Sequence, residues 1–153
     1  MELLCAAALH LMIASEPGSV ADLIGTYEVF GETLQTDGST CERCDAGLPK
    51  HTICLRQHEK RLVTTCTTGD LGIPTRQTGR GFASESGCKE GAATLWEFNR
   101  TADDGRYAGI RRTELGASCI DGKVAQSCTC AYAFMAFKIS DAIGSQQAFP
   151  SRP

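Results

Sequence analysis

The chain has little excess of charge of either sign. Eighteen acidic residues stand against fifteen basic ones, a formal net charge of −3. Two of the acidic residues, Glu2 and Glu16, fall in the first stretch, so the remainder is closer still to neutral. A nucleic-acid binder needs a basic face to displace counterions from phosphates. The densest basic run, Arg56-Gln57-His58-Glu59-Lys60-Arg61, is diluted by Glu59 and reads as a solvated strand end or turn. No nucleic-acid partner is expected.

Long apolar runs are also missing. The one apolar stretch, Leu3 to Ala14, is about a dozen residues, whereas a bilayer-spanning helix needs about 20. No membrane span is expected. Leucine-rich helical patterning is sparse, and there is no serine-nucleophile motif. The three histidines are poorly spaced for a triad: His10 is in the apolar stretch, and His51 and His58 lie among cysteines. Gly79-Arg80-Gly81 lacks the Lys-Ser/Thr ending of a phosphate loop and reads as a turn. No cofactor is expected.

What is present is cysteine. Cys5 sits inside the apolar stretch, and eight more follow residue 40. The stretch suits a secretory leader, with Pro17-Gly18 and then the small residues of Ser19-Val20-Ala21 offering cleavage after Ala21. Glu2 stands where such leaders usually carry Lys or Arg. Removal of residues 1–21 discards Cys5 and leaves an even set: Cys41, Cys44, Cys54, Cys66, Cys88, Cys119, Cys128 and Cys130. In a small exported chain this pattern reads as a disulfide framework, in a secreted or periplasmic protein. Cys41-x2-Cys44-x9-Cys54-x3-His58 also has the look of a zinc set, but oxidation competes in that compartment, and the reading taken is disulfides with no metal. Cys128 and Cys130 share one strand face about 7 Å apart and therefore need different partners. Eight cysteines permit 105 connectivities, all left open here.

Sixteen glycines with abundant Thr and Ser point to an all-β chain. Gly25–Thr33 alternates as a strand and Asp37-Gly38-Ser39 ends it. His51–Leu55 and Arg61–Thr67 read as two more strands. Residues 69–92, Gly-rich and polar with Pro74, read as the longest irregular stretch, stapled by Cys88. Ala93–Arg100 and Arg106–Thr113 form a hairpin around Asp103-Asp104-Gly105, and Asp121-Gly122 marks another turn. Cys128–Ile139 is apolar on both parities, which fits a buried strand or a short helix; its surroundings favour the strand. Asn99-Arg100-Thr101 matches a glycosylation sequon. The division expected is a leader over 1–21, one domain over 22–143 and a flexible tail over 144–153. Seven or eight short strands avoid open edges by closing into an antiparallel barrel of about eight strands. A sandwich is the alternative.

Leu95-Trp96-Glu97-Phe98 followed by Gly105-Arg106-Tyr107-Ala108-Gly109-Ile110 resembles a hairpin of small exported bacterial barrels related to the allene oxide cyclase and dirigent barrels. Gly25-Thr26-Tyr27-Glu28-Val29-Phe30-Gly31 resembles their opening strand. Together these patches cover about a fifth of the chain after residue 21. The chain has Ala102-Asp103-Asp104 where that family usually has Gly-Gly-Thr. The resemblance implies an eight-stranded barrel that binds a reactive small molecule and steers its cyclisation or coupling.

Tyr27, Trp96, Tyr107 and Arg111 are the candidate ligand-binding residues. Trp96 and Phe98 share one strand face, and Tyr107 and Arg111 share another. Aromatic walls with one cation suit a small apolar or amphipathic ligand bearing an acidic group. The plainer reading makes the aromatics core and leaves Arg111 solvated. Two functions stand at this point. One is a binding barrel for a small, mostly apolar ligand, or a structural module of that type. The other is a cyclase or isomerase in which Trp96 and Tyr27 are walls, Tyr107 a donor and Arg111 the anchor, with catalysis by orientation. A homo-oligomer is left open.

Overall fold

The computed structural model describes residues 19–67, 71–88, 91–102 and 104–143. Residues 1–18 of the expected leader and the tail from residue 144 lie outside the described residues, and α1 runs across the expected cleavage point after Ala21. After a single helical turn, α1 (Val20–Leu23), the chain forms eight strands: β1 (Gly25–Gln35), β2 (His51–His58), β3 (Arg61–Thr64), β4 (Ile73–Thr78), β5 (Gly81–Glu85), β6 (Ala92–Arg100), β7 (Arg106–Ile120) and β8 (Lys123–Ser140). Each strand pairs antiparallel with the next, and β8 returns to pair with β1, so the ring is closed. Closure leaves no open sheet edge around the ring. Cys128–Ile139 is strand, within β8.

Tight turns carry the expected chemistry. Asp121 and Gly122 both take positive φ, 52° and 74°, the twist that suits a two-residue hairpin loop. Glu59 and Lys60 do the same at 48° and 70° without a glycine, which places the basic run at a turn. The stretch 69–92 departs from expectation. It contains β4 and β5, joined at Gly79-Arg80, with Arg76 opposite Ala83 and Gln77 opposite Phe82. Pro74 is paired with Val63 of β3 but precedes the β4–β5 ladder, which begins at Thr75 opposite Ser84, and Gly81 is required because a Cβ there would lie 1.8 Å from the Phe98 carbonyl oxygen.

Inward residues alternate along each strand. Tyr27 and Val29 of β1, Leu55 of β2, Phe82 of β5, Phe98 of β6, Tyr107 of β7 and Phe134 and Ala136 of β8 form the core, with Leu23 of α1. At Gly31 (φ 65°) the β1–β8 register shifts between Phe30 and Thr33. The extra residue reverses the parity of β1, and the side chain of Glu32 is fully buried, like those of Tyr27 and Val29.

The eight cysteines among the described residues all pair: Cys41–Cys128, Cys44–Cys130, Cys54–Cys66 and Cys88–Cys119. Cys128 and Cys130 do bond different partners. The first two bridges fasten the segment between β1 and β2 across the end of the ring where β1 finishes. The Tyr132 hydroxyl donates to Asp45 O at 2.8 Å, and Thr40 N donates to Thr129 O at 2.8 Å. α1 lies at the opposite end, where the Tyr27 hydroxyl donates to Leu23 O.

Candidate functional site

The four residues singled out from sequence all face the interior, at two levels. Tyr27 and Tyr107 lie at the α1 end, fully buried. Their rings meet edge to face at 5.2 Å, and Tyr27 meets Phe82 in the same way at 5.2 Å. Burial raises the Tyr27 phenol well above its ordinary range, and the neighbouring Tyr107 adds to the effect. Phe82 and Phe98 stack at 4.4 Å beside them. This level is packed aromatic core.

Trp96 and Arg111 lie toward the covered end, opposite each other across β6 and β7. The Arg111 guanidinium sits 5.4 Å from the Trp96 ring centre and 4.1 Å from that of Tyr132. Its Nε donates to Glu32 Oε1 at 2.8 Å, Nη2 donates to the same oxygen, and Nη1 donates to Thr113 Oγ1 at 3.0 Å. Only 11% of its side chain is exposed, so the solvated reading of Arg111 is corrected. The bulge at Gly31 delivers the neutralising carboxylate, which also accepts from Leu48 N at 3.2 Å. Arg111 is therefore already engaged by a buried counter-charge.

His51 also belongs to this level, although sequence spacing gave it no role. It stands opposite Val29, and its ring meets Trp96 at 5.5 Å. Nδ1 lies 2.8 Å from Pro49 O. The buried Nε2 of His51 and Oε2 of Glu32 have no hydrogen-bond partner among the described residues. Nearby, Thr64, Thr75 and Ser84 satisfy one another as a triangle of hydroxyls, with Thr75 Oγ1 2.8 Å from each of the other two. That mutual satisfaction explains how polar Ser84 can be buried.

The zinc set suggested by spacing does not assemble. Cys54 bonds Cys66, and His58 is exposed at the end of β2. The sulfurs of Cys41, Cys44 and Cys130 do lie within 4.8 Å of one another. Each is committed to a disulfide, which leaves no thiolate for a metal.

A cleft of about 830 Å³ lies on the outside of the ring. Its floor is the outer face of β4 to β7, including Ala83, Ala93 and Leu95, and its far wall is the tip of the β7–β8 hairpin, with Val124 and Lys123. The tip lies beyond Gly116 (φ 61°), where the β7–β8 register slips between Leu115 and Ser118. Cys88–Cys119 ties it down, reinforced by Ala117 N to Gly91 O at 2.8 Å and Cys88 N to Gly122 O at 3.2 Å. Arg76, Arg112 and Lys123 line the cleft and form no ion pair among the described residues. Of the acidic lining residues, Glu114 accepts from the hydroxyls of Ser127 and Thr129. Sequence reading missed this site because two of its floor strands, β4 and β5, lie in the stretch that the sequence left irregular. One local signal was available: if Arg111 faces inward, strand alternation sends Arg112 outward.

No protein-family model, no curated protein and no solved structure matches the chain. Among the described residues no helix is long and apolar enough to cross a membrane.

Proposed function

We propose that this protein is an exported, disulfide-stapled β-barrel that binds a small amphipathic anion, an apolar body carrying one acidic group, in the outer cleft under the β7–β8 hairpin. One observation carries the reading: Ala93, Leu95 and Val124 share that cleft with guanidinium groups of Arg76 and Arg112 that form no ion pair among the described residues, although Glu85 and Glu114 also line it. Concave apolar surface with a few convergent polar groups is the usual form of a small-molecule site. Four disulfides favour an oxidising compartment and hence export. Held by Cys88–Cys119, the wall of the cleft is pre-organised, which lowers the ordering cost of binding.

The orientation of Trp96, Arg111 and His51, with the unpartnered Glu32 Oε2 and His51 Nε2 beside them, favours a second reading. That reading is an interior site of the cyclase or isomerase kind. It is the weaker of the two, because Glu32 already neutralises Arg111 and the aromatic rings at the α1 end pack on one another.

Thermal-shift and native mass spectrometry with dodecanoate and with dodecanol separate these readings. Dodecanoate binds and dodecanol does not, and a concentration of 100 times Kd stabilises by about 2.7 kcal/mol. Joint Arg76→Ala and Arg112→Ala replacement abolishes the shift while leaving the unliganded melting temperature nearly unchanged. Equal binding of both probes, or of neither, overturns the cleft reading. Binding lost in Trp96→Ala but kept in the arginine variant moves the site inside the ring.

A further inference from the structure

The outer face of β1, β8 and the first part of β7, at the end of these strands away from the β7–β8 hairpin, carries a continuous apolar strip. Met135, Phe137 and Ile139 alternate along β8, each outward and 40–56% exposed. Phe30 of β1 stacks on Phe137 at 6.0 Å, with the ring planes 10° apart. The register extends the strip sideways, since Phe30 faces Met135 across β1–β8 and Met135 faces Ala108 across β8–β7. Single exposed apolar side chains are ordinary, but a contiguous patch this rich in large side chains marks a contact surface.

The charges beside the strip indicate what covers it. Glu28 stands opposite Phe137 on the β1 side, and Arg106 stands opposite the same Phe137 on the β7 side. The row therefore reads acid, aromatic, base. A two-fold axis running along β8 would lay this face against its own copy and exchange the flanks. Glu28 of each copy would then meet Arg106 of the other, twice, around the paired Phe137 rings. Self-complementarity of this sort is what an isologous interface requires. Among the described residues of one chain their ion-pair partners lie at the surface, Lys50 for Glu28 at 3.0 Å and Asp104 for Arg106 at 2.7 Å. Such exposed pairs are weak and exchange readily. Two twisted sheets packing face to face in this way lie about 10 Å apart with strands nearly aligned.

We infer that the β1–β8–β7 face is the dimer interface of this protein, closed by a second copy of the chain about a two-fold axis along β8. Three of the cleft's floor strands, β4, β5 and β6, lie outside that face.

Sedimentation velocity and light scattering on the purified, oxidised protein read the assembly directly. The dimer mass is expected, and Phe137→Glu should weaken association at least a hundredfold without changing the β-sheet circular dichroism. Glu28→Arg and Arg106→Glu should each weaken it about tenfold. An equimolar mixture of those two variants should restore it, because both flanking contacts become opposite in sign again. Should Phe137→Glu fail to fold, Met135→Lys and the charge-swapped pair decide the matter alone. A monomer at every attainable concentration overturns the proposal. So does a dimer indifferent to these substitutions. So too does a monomer that instead binds phosphatidylglycerol–phosphatidylcholine vesicles through Phe137.

Discussion

Arg111 and Glu32, 79 residues apart in the chain, form a buried ion pair in the covered end of the ring, with the guanidinium sandwiched between Trp96 and Tyr132. The pair exists because the β1 bulge at Gly31 turns an even-numbered residue inward. A charge buried without its partner is costly, whereas an apolar replacement of both partners is often neutral. Glu32→Ala should therefore destabilise by about 3–5 kcal/mol. The joint Glu32→Leu and Arg111→Met variant should recover most of that loss. Urea melts followed by the fluorescence of Trp96, the single tryptophan, measure both. A Glu32→Ala protein as stable as the parent would remove the ion pair from the account of this end of the ring.

Gly109 sets the packing of the core from β7. A Cβ there would stand 2.3 Å from Phe134 Cζ and 2.3 Å from the Glu97 carbonyl oxygen. Neither the backbone nor a ring wedged among Trp96 and Phe98 gives way cheaply, and overpacking costs about 1–3 kcal/mol or more. Gly109→Ala should cost about 3 kcal/mol, at the upper end of that range. Gly122→Ala is the control: it has φ 74° and no atom within 4 Å of a built Cβ, so only backbone strain of about 1 kcal/mol applies. Melting temperatures should rank parent, Gly122→Ala, Gly109→Ala.

The two bridges over the covered end are partly redundant. Cys41–Cys128 and Cys44–Cys130 close nearly the same loop, with separations of 87 and 86 residues. Once one is formed, the other closes only a small residual ring. Chain-entropy arithmetic then assigns about 2 kcal/mol to the loss of either pair and about 6–7 kcal/mol to the loss of both. Serine replacements, singly paired and combined, should show this non-additivity in denaturant melts. Hydrogen exchange should rise over residues 39–50 only in the combined variant. Additive losses would mean that the two bridges act on independent parts of the fold.

Much of the fold was legible because its signals are local. Alternation marked β1, β6 and β7, and Asp121-Gly122 marked the long hairpin. Ile73–Glu85 was not legible as β4 and β5, since Pro74 and the glycines around it read locally as loop. These short strands persist because β3 and β6 supply ladder partners on either side. Even spacing put Trp96 with Phe98 and Tyr107 with Arg111 on common strand faces, but neither which face turns inward nor the division between packed core and neutralised cation was legible. Nothing local reveals that Glu32 shares a face with Tyr27 despite its opposite parity.

Sequence alone determined the all-β character, the even cysteine set after residue 40 and the separate partners of Cys128 and Cys130. Each follows from spacing and backbone preference over a few residues. Only the tertiary structure decided the disulfide connectivity, the burial of Arg111 and the outer cleft. Those depend on the register at which distant strands meet, and one extra residue at Gly31 changes which side chains a strand turns inward.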